Sequence, residues 1–410
     1  MAYPSFLQAN SHITEWYEDS LRRDLLVYFS SAGAEAPQGR SKLAKYGGNQ
    51  LFIRDTARNW YNLPIGTFST GADDLCEKLR GLVEAYGRQN VTMAGSSMGG
   101  YAALLFGLKL RVGRIVAVAP QTVLRPDIPN SPRVEVKYRD LLPLFEGGAK
   151  NTKVDIWYGT DSALDLFNCL RLPATSSIRH FPVPGGMHNV LATIKRHGKL
   201  DAFFEYIVHG GIPPVATRLL KEKDIPSVHD AAKLYYFDRN PQAVIEVSRG
   251  FSQARKYSAL SYIIGKSYFD VGDLDSAEKW LEQAVLLSIY NYEACYLRGL
   301  CSEKNNDFEQ AADYYKFGLE YFPSPNAARI ARLGNAEFRS GRIDEAINSH
   351  TLALEINPKL TRSYFQLGVI YMREGNWDLA RFHLRQHLQL VPDFSKTKEY
   401  LAFVESHLAR

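Results

Sequence analysis

NVTMAGSSMGGYAALLFGLKL, residues 90–110, decides how the first half of this chain is read. A short apolar run, Val91 to Ala94, leads straight into Gly95-Ser96-Ser97-Met98-Gly99, which matches G-x-S-x-G. A run of helix-forming and small residues, GGYAALLF, leads straight out of it. Strand, tight turn and helix in that order hold the central serine on a sharp elbow with its hydroxyl exposed. The flanking glycines leave room for the turn and for close packing of helix on strand. A glycine-rich turn in this place can also cradle a phosphate at a helix N-terminus. GSSMGG lacks the Lys-Ser/Thr of a P-loop and the spacing of a dinucleotide fingerprint, so Ser97 is read as a nucleophile.

Outward from this elbow, short β-branched runs alternate with amphipathic segments. DLLVYFSS (24–31), QLFIRD (50–55), RIVAVAP (114–120), VDIWYG (154–159) and SIRHFPV (177–183) read as further buried strands. Segments 72–87 and 99–110 read as helices between them. Strands alternating with helices predict a mostly parallel sheet with helices on both faces. The turn residues HGGIPP (209–214) end the pattern, so the first domain is expected at 1–210 with a linker at 211–223.

With these residues in place, the first 210 positions resemble the α/β-hydrolase family. In that family an acid and then a histidine follow the nucleophile along the chain. Carried onto this sequence, the resemblance makes Ser97 the nucleophile and His188, in PGGMHNV, the base. Asp161, in the turn YGTDSALD after VDIWYG, becomes the acid, and Asp165, four residues on, is the alternate. His180 is a rival base, but it lies inside a strand-like run. The oxyanion donors would be the backbone of Met98 and of the loop around Ser31 or Ala32. That loop reads SSAG where many family members carry His-Gly. Residues 121–150 occupy the place of a lid. In the segment IRDTARNWYNLP (53–64), Arg54, Arg58, Trp60 and Tyr61 are candidate substrate-binding residues, with the alternative of a surface turn whose tryptophan packs on the sheet.

Beyond residue 210 the β-type runs stop and a repeat begins. Gly265, Gly299, Gly334 and Gly368 recur at intervals of 34, 35 and 34 residues, and Ala277, Ala311, Ala346 and Ala380 recur at the same intervals. Pro323, Pro358 and Pro392 close three of the units. Small residues at two fixed places let antiparallel helices approach, and the prolines end each second helix. This period resembles the tetratricopeptide (TPR) family, best in residues 361–394 with Tyr364, Leu367, Gly368, Tyr371, Ala380 and Pro392. The expected array runs from 224 to 410: a degenerate first repeat at about 224–257, then further repeats, then a C-terminal capping helix. The resemblance points Tyr262, Lys266, Phe269, Tyr296, Asn335, Phe338, Arg339, Phe365 and Arg373 to a concave groove that could hold an extended peptide, or else to packing between repeats.

A net charge of +5 over 410 residues gives no dense basic stripe, so a nucleic-acid partner is not expected. No run of 18 apolar residues and no signal pattern at the N-terminus predict a cytoplasmic chain without a transmembrane segment. Four cysteines without metal spacing are expected as buried small hydrophobes, with no metal and no cofactor. The expected fold is thus an α/β-hydrolase-like domain followed by an all-α TPR-like superhelix. The function implied is an esterase-type serine hydrolase acting on an ester or acyl substrate, with a protein or peptide partner at the repeats. Alternatives are an acyltransferase or deacylase working on a surface polysaccharide, and an inactive hydrolase-fold adaptor.

Overall fold

Apolar β-branched and aromatic runs bury best when covered on both faces, and the sheet of this chain is built from such runs. A computed structural model describes residues 13–19, 21–32, 40–148, 151–215, 225–251, 256–322 and 325–409. Contacts divide it into two compact units, Met1–Ile263 and Ile264–Arg410.

In the first unit, seven strands form one sheet: β1 (Thr14–Tyr17), β2 (Leu25–Phe29), β3 (Asn49–Ile53), β4 (Val91–Ser96), β5 (Arg114–Val118), β6 (Lys153–Gly159) and β7 (Ile178–Val183). Their order is β1-β3-β2-β4-β5-β6-β7. β1 pairs antiparallel with β3 at the edge and every other pairing is parallel, so the sheet is mixed. β2 and β3 are buried along their whole length. The edge strand β1 was not expected: its four residues, TEWY, carry no apolar run.

The chain passes from β2 outward to β3, then returns to place β4 on the other side of β2. This reversal makes a switch point, where the loops after two neighbouring strands diverge and leave a crevice at their carboxyl ends. The two helices named from the sequence are α1 (Ala72–Tyr86) and α2 (Met98–Leu110); α3 (Ala163–Leu170), α4 (Val190–Arg196) and α5 (Leu200–His209) join them, with shorter helices at Arg40–Leu43 and Leu142–Gly148. α1 is amphipathic, burying Leu75, Leu79, Leu82 and Val83 on one side. α2 is apolar nearly all round and correspondingly buried.

The first unit continues past residue 210, where the sequence suggested an end. Residues 216–224, within the expected linker, lie outside the described residues. Helices α6 (Ile225–Ala232) and α7 (Pro241–Ser248), expected as a first repeat, belong to the compact unit of the sheet. His229 stacks on Phe167 of α3 at 5.9 Å, and Phe237 approaches the same ring at 6.2 Å. Arg125 donates to the Phe237 carbonyl at 2.6 Å, and Arg239 pairs with Asp127 at 2.8 Å. An apolar ring on α3, Phe167, thus packs against this segment.

The second unit is built of antiparallel helix pairs. α8 (Ser258–Val271), within which the unit boundary falls, precedes α9 (Leu274–Leu287), α10 (Tyr292–Lys304) and α11 (Phe308–Glu320). α12 (Ala327–Ser340), α13 (Ile343–Ile356), α14 (Thr361–Arg373), α15 (Trp377–Leu390) and the terminal α16 (Ser395–Leu408) complete it. The repeated glycine has one job throughout. A Cβ at Gly265, Gly334 or Gly368 would come within 2.8, 2.9 or 2.6 Å of Leu281, His350 or Leu384 on the paired helix, and at Gly299 it would strike Tyr315. The repeated alanines, Ala277, Ala311, Ala346 and Ala380, are fully buried. Asp273, Asn291, Asp307, Asn326 and Asn376 cap the helices that follow them. Pro358 and Pro392 stand beyond the ends of α13 and α15, while Pro323 lies outside the described residues.

All four cysteines are free and buried, and burial pushes the Cys295 thiol up to about 11. Among the described residues, no helix is long and apolar enough to cross a membrane, and no group of three or more His, Cys, Asp or Glu could hold a metal ion.

Candidate functional site

Ser97 is the single residue between β4 and α2, and its backbone sits at φ 55° and ψ −117°. A non-glycine residue at positive φ stores strain of about 1–3 kcal/mol, which the surroundings must impose. Here the Ser97 N–H is tied to the Val118 carbonyl at 2.8 Å. The glycines on either side let the backbones close up. A Cβ at Gly95 would lie 2.7 Å from the Phe29 carbonyl oxygen, and one at Gly99 would collide with that same atom. Helix α2 therefore starts against β2, with the serine side chain above the carboxyl edge of the sheet.

The Ser97 hydroxyl and His188 Nε2 are 2.9 Å apart. His188 Nδ1 meets the Asp165 carboxylate at 2.8 Å. Asp165 is buried, whereas the His188 side chain keeps 32% of its surface exposed, enough for contact with a bound molecule. Burial works against protonation of His188, but the charge and hydrogen bond of Asp165 outweigh it and hold its pKa above the ordinary 6.5. His180, the rival base, instead meets the Pro173 carbonyl at 3.2 Å, and burial lowers its pKa.

The carboxylate on the histidine is thus Asp165, where the turn after β6 had favoured Asp161. The reason is where α3 begins. Ser162 caps it by accepting from the Asp165 N–H at 3.3 Å, so Asp165 stands in the first turn. Side chains there lean back toward the helix N-terminus and so toward the sheet edge. Asp161 acts one step earlier, its N–H bonding the Gly186 carbonyl at 2.9 Å. That bond and the close approach of Gly159 to Gly186 fix the turn preceding His188. Asn189 then caps α4 through the Ala192 N–H at 3.1 Å. Asn168, which the sequence did not single out, accepts from the Thr122 and Val123 N–H groups at 2.8 and 3.1 Å. It ties the acid-bearing helix to the chain leaving β5.

Met98 opens α2, and the first N–H groups of a helix have no partner within it. β2 and β4 are in register up to Phe29 and Gly95, so the segment holding Ser31 and the turn holding Ser97 leave the same edge of the sheet. Ala32 follows, exposed. The backbone positions named from the resemblance thus lie on the start of α2 and on the segment leaving β2.

The loop after β3 is a different matter. Trp60 and Tyr61 are core residues, 2% and 0% exposed, and cannot form a substrate wall. Tyr61 donates to the Ser30 and Ile53 carbonyls at 2.9 and 3.1 Å, and Trp60 packs edge-on against Tyr101. The buried Asp55 carboxylate organises the loop, accepting from the Ala57 and Tyr61 N–H groups at 3.0 and 2.9 Å. Arg58, Trp60 and Tyr61 all take positive φ around it. Arg58 is exposed and Arg54 half-buried, so only the arginines keep a face for solvent. The chain after β5, read as a lid, is braced: Arg171 grips Asp140 at 2.7 and 2.8 Å, and Tyr138 N–H bonds Asn62 at 3.0 Å. Of that segment, residues 149–150 lie outside the described residues.

In the second unit, Asn335, Phe338 and Arg339 line a groove of about 490 Å³ with Glu303, Phe308, Arg332, Ala336, Arg362 and Gln366. Arg373 lies at its side, 5.6 Å over the Phe338 ring. Other residues expected in the groove are engaged elsewhere. Phe365 packs among His387, Phe394 and Tyr400 at 5.5, 5.6 and 6.0 Å. Tyr296 packs on Tyr315 at 5.2 Å, Phe269 lies beneath Lys304 and Lys266 faces Asp270. Tyr262 falls in the preceding unit.

Comparison with known proteins bears on this second unit. Family models described as "Tetratricopeptide repeat" match residues 262–324 and 302–359, and one described as "TPR repeat" matches 334–393. The C-terminal part of the chain therefore carries TPR repeats. Human Tetratricopeptide repeat protein 6 is 26% identical over 125 residues, which is 30% of this chain and 23% of that protein. Human Protein O-mannosyl-transferase TMTC1 is 27% identical over 136 residues, 32% of this chain and 15% of its own. Bovine BBSome complex member BBS4 is 26% identical over 129 residues, 32% and 24% of the two chains. The matched region thus spans a quarter or less of each curated relative. Among solved structures, MamA from Desulfovibrio magneticus RS-1 superposes with a TM-score of 0.38 at 15% identity, covering 43% of this chain and 99% of its own. YrrB, titled a TPR protein with an unusual peptide-binding site, gives 0.40 at 18% identity, covering 44% and 93%.

Proposed function

We propose that the sheet unit is a serine acyl hydrolase of the α/β-hydrolase kind, esterase-type in its reaction, and that the TPR repeats bring it to a protein partner through an extended peptide. The observation that carries the first part is the hydrogen-bonded line from Ser97 through His188 to Asp165. In this reading, Ser97 Oγ attacks the acyl carbon and His188 Nε2 takes the hydroxyl proton. The oxyanion forms beside the Met98 N–H and the backbone after β2. When the bond to the alcohol breaks, His188 returns the proton to the leaving oxygen. Water then repeats the sequence, releasing the acid and restoring Ser97. Asp165 holds the imidazole in the tautomer whose Nε2 accepts and stabilises the imidazolium that forms.

Burial of Trp60 and Tyr61 removes the aromatic wall that motivated a polysaccharide substrate, which favours hydrolysis of a simple ester as the first chemistry to assay. Short-chain p-nitrophenyl esters provide that assay. The wild-type chain is expected to turn them over, and Ser97→Ala to lose roughly 10⁴-fold or more in kcat. Equal turnover by both proteins would defeat the reading. The adaptor alternative has its own support in the repeats, and predicts that Ser97→Ala leaves partner binding and cellular function intact.

A further inference from the structure

We infer that Asn168, through its bonds to the chain around Thr122, is the positioning residue that fixes the span between Ser97 and Asp165 which His188 bridges. The inference rests on the proposed acyl hydrolysis at Ser97 and concerns how that site is aligned.

An imidazole ring is rigid. It satisfies a bond at each nitrogen only where the groups on its two sides stand at one separation. Ser97 and Asp165 come from different elements, yet His188 meets both, at 2.9 and 2.8 Å. The Asp165 carboxylate has no hydrogen bond that would hold it apart from this one. Its Oδ1 is taken by His188, and its Oδ2 is buried with no hydrogen-bond partner among the described residues. Its place is therefore set by the helix that carries it, and α3 is only eight residues long.

That helix is held one turn beyond the acid. Asn168 Oδ1 accepts from the Thr122 and Val123 N–H groups, and its Nδ2 donates to the Leu164 carbonyl, beside Asp165, at 2.9 Å. The Thr122 hydroxyl donates in turn to the Asn168 carbonyl at 2.8 Å. Asn168 and Thr122 are both buried, so removing the amide strands two backbone donors away from water. Four residues before Thr122 on the same chain, the Val118 carbonyl receives the Ser97 N–H at 2.8 Å. Serine and acid are thus joined twice, once across His188 and once through Val118, Thr122 and Asn168. The second path carries no proton. It sets the distance that the first must span.

Steady-state turnover of a p-nitrophenyl ester by the full chain, with melting temperatures measured alongside, tests this. Asn168→Ala is expected to lower kcat about tenfold or more while KM stays within about threefold of wild type. The acid limb of kcat/KM should move to lower pH, because the charge and hydrogen bond of Asp165 raise the His188 pKa and a displaced carboxylate raises it less. Thr122→Val keeps the shape and the backbone N–H but loses the hydroxyl, and should shift kcat and the acid limb in the same directions. Thr122→Ser keeps the hydroxyl and should hold both within about twofold of wild type. If Asn168→Ala does not fold, the pair of variants at Thr122 carries the comparison. Tyr206→Phe measures a merely structural loss. It gives up a buried bond of 2.7 Å to Asp155, near the amino end of β6, and should lower the melting temperature with kcat and the acid limb unchanged. Asn168→Ala or Thr122→Val melting lower, as Tyr206→Phe does, but keeping the wild-type kcat and acid limb would overturn the positioning role. A wild type that turns over no ester and takes no fluorophosphonate adduct would instead defeat the hydrolase reading, and this inference with it.

Discussion

At the scale of single residues, the site turns on which groups share a proton. Asp165 raises the pKa of His188 above 6.5 despite burial. A general base must be neutral, so turnover should be full above that pKa and fall as pH drops through it. The acid limb of kcat/KM is therefore expected to have its midpoint above 6.5, and Asp165→Asn should move that midpoint down. A wild-type profile flat from pH 8 to pH 5 would remove His188 from the role. Ser97 and His188 were legible in the sequence because a motif and a chain order point to them. The choice between Asp161 and Asp165 was not, because it depends on where α3 starts, and the Ser162 cap sets that start. For Trp60 and Tyr61 the sequence left two readings open, a substrate wall or a turn whose tryptophan packs on the sheet, because arginines surround them. What buries them is the Asp55 carboxylate, which turns the loop inward through backbone bonds that no side-chain pattern displays.

At the scale of elements, close approach of backbones decides which glycines are fixed. Gly99 lies against the Phe29 carbonyl, so Gly99→Ala must push α2 off β2. Gly81 stands on the exposed face of α1 with nothing within 4 Å of an added Cβ. Urea unfolding is expected to show Gly81→Ala more stable than wild type by about 0.5–1 kcal/mol. Gly99→Ala should be less stable by about 2 kcal/mol or more. A neutral Gly99→Ala would mean that the elbow is looser than the contacts imply. Most elements were legible: the strands named from sequence and β2 to β7 differ by a residue or two at their ends. β1 escaped because an edge strand buries little and so carries little apolar signal. The helix pairs were the clearest of all, since one glycine contact recurs in each.

At the scale of the whole molecule, the unit boundary was the hardest feature to read. The turn residues at 209–214 look like an end, yet α6 and α7 pack on the sheet unit because Phe167 needs cover. A chain ending at residue 215 should therefore be less stable in urea than one ending at 251, by about 2 kcal/mol for an uncovered aromatic ring. Equal stability would detach that segment from the first unit. In the proposed reading the repeats and the sheet have separate tasks, one for a peptide and one for an acyl group. The central claim concerns the second and is tested most directly by fluorophosphonate labelling read by intact mass. Wild type should gain a single adduct, Ser97→Ala none, and His188→Ala and Asp165→Asn should label slowly. An unlabelled wild type, or an adduct that persists in Ser97→Ala, would contradict the account.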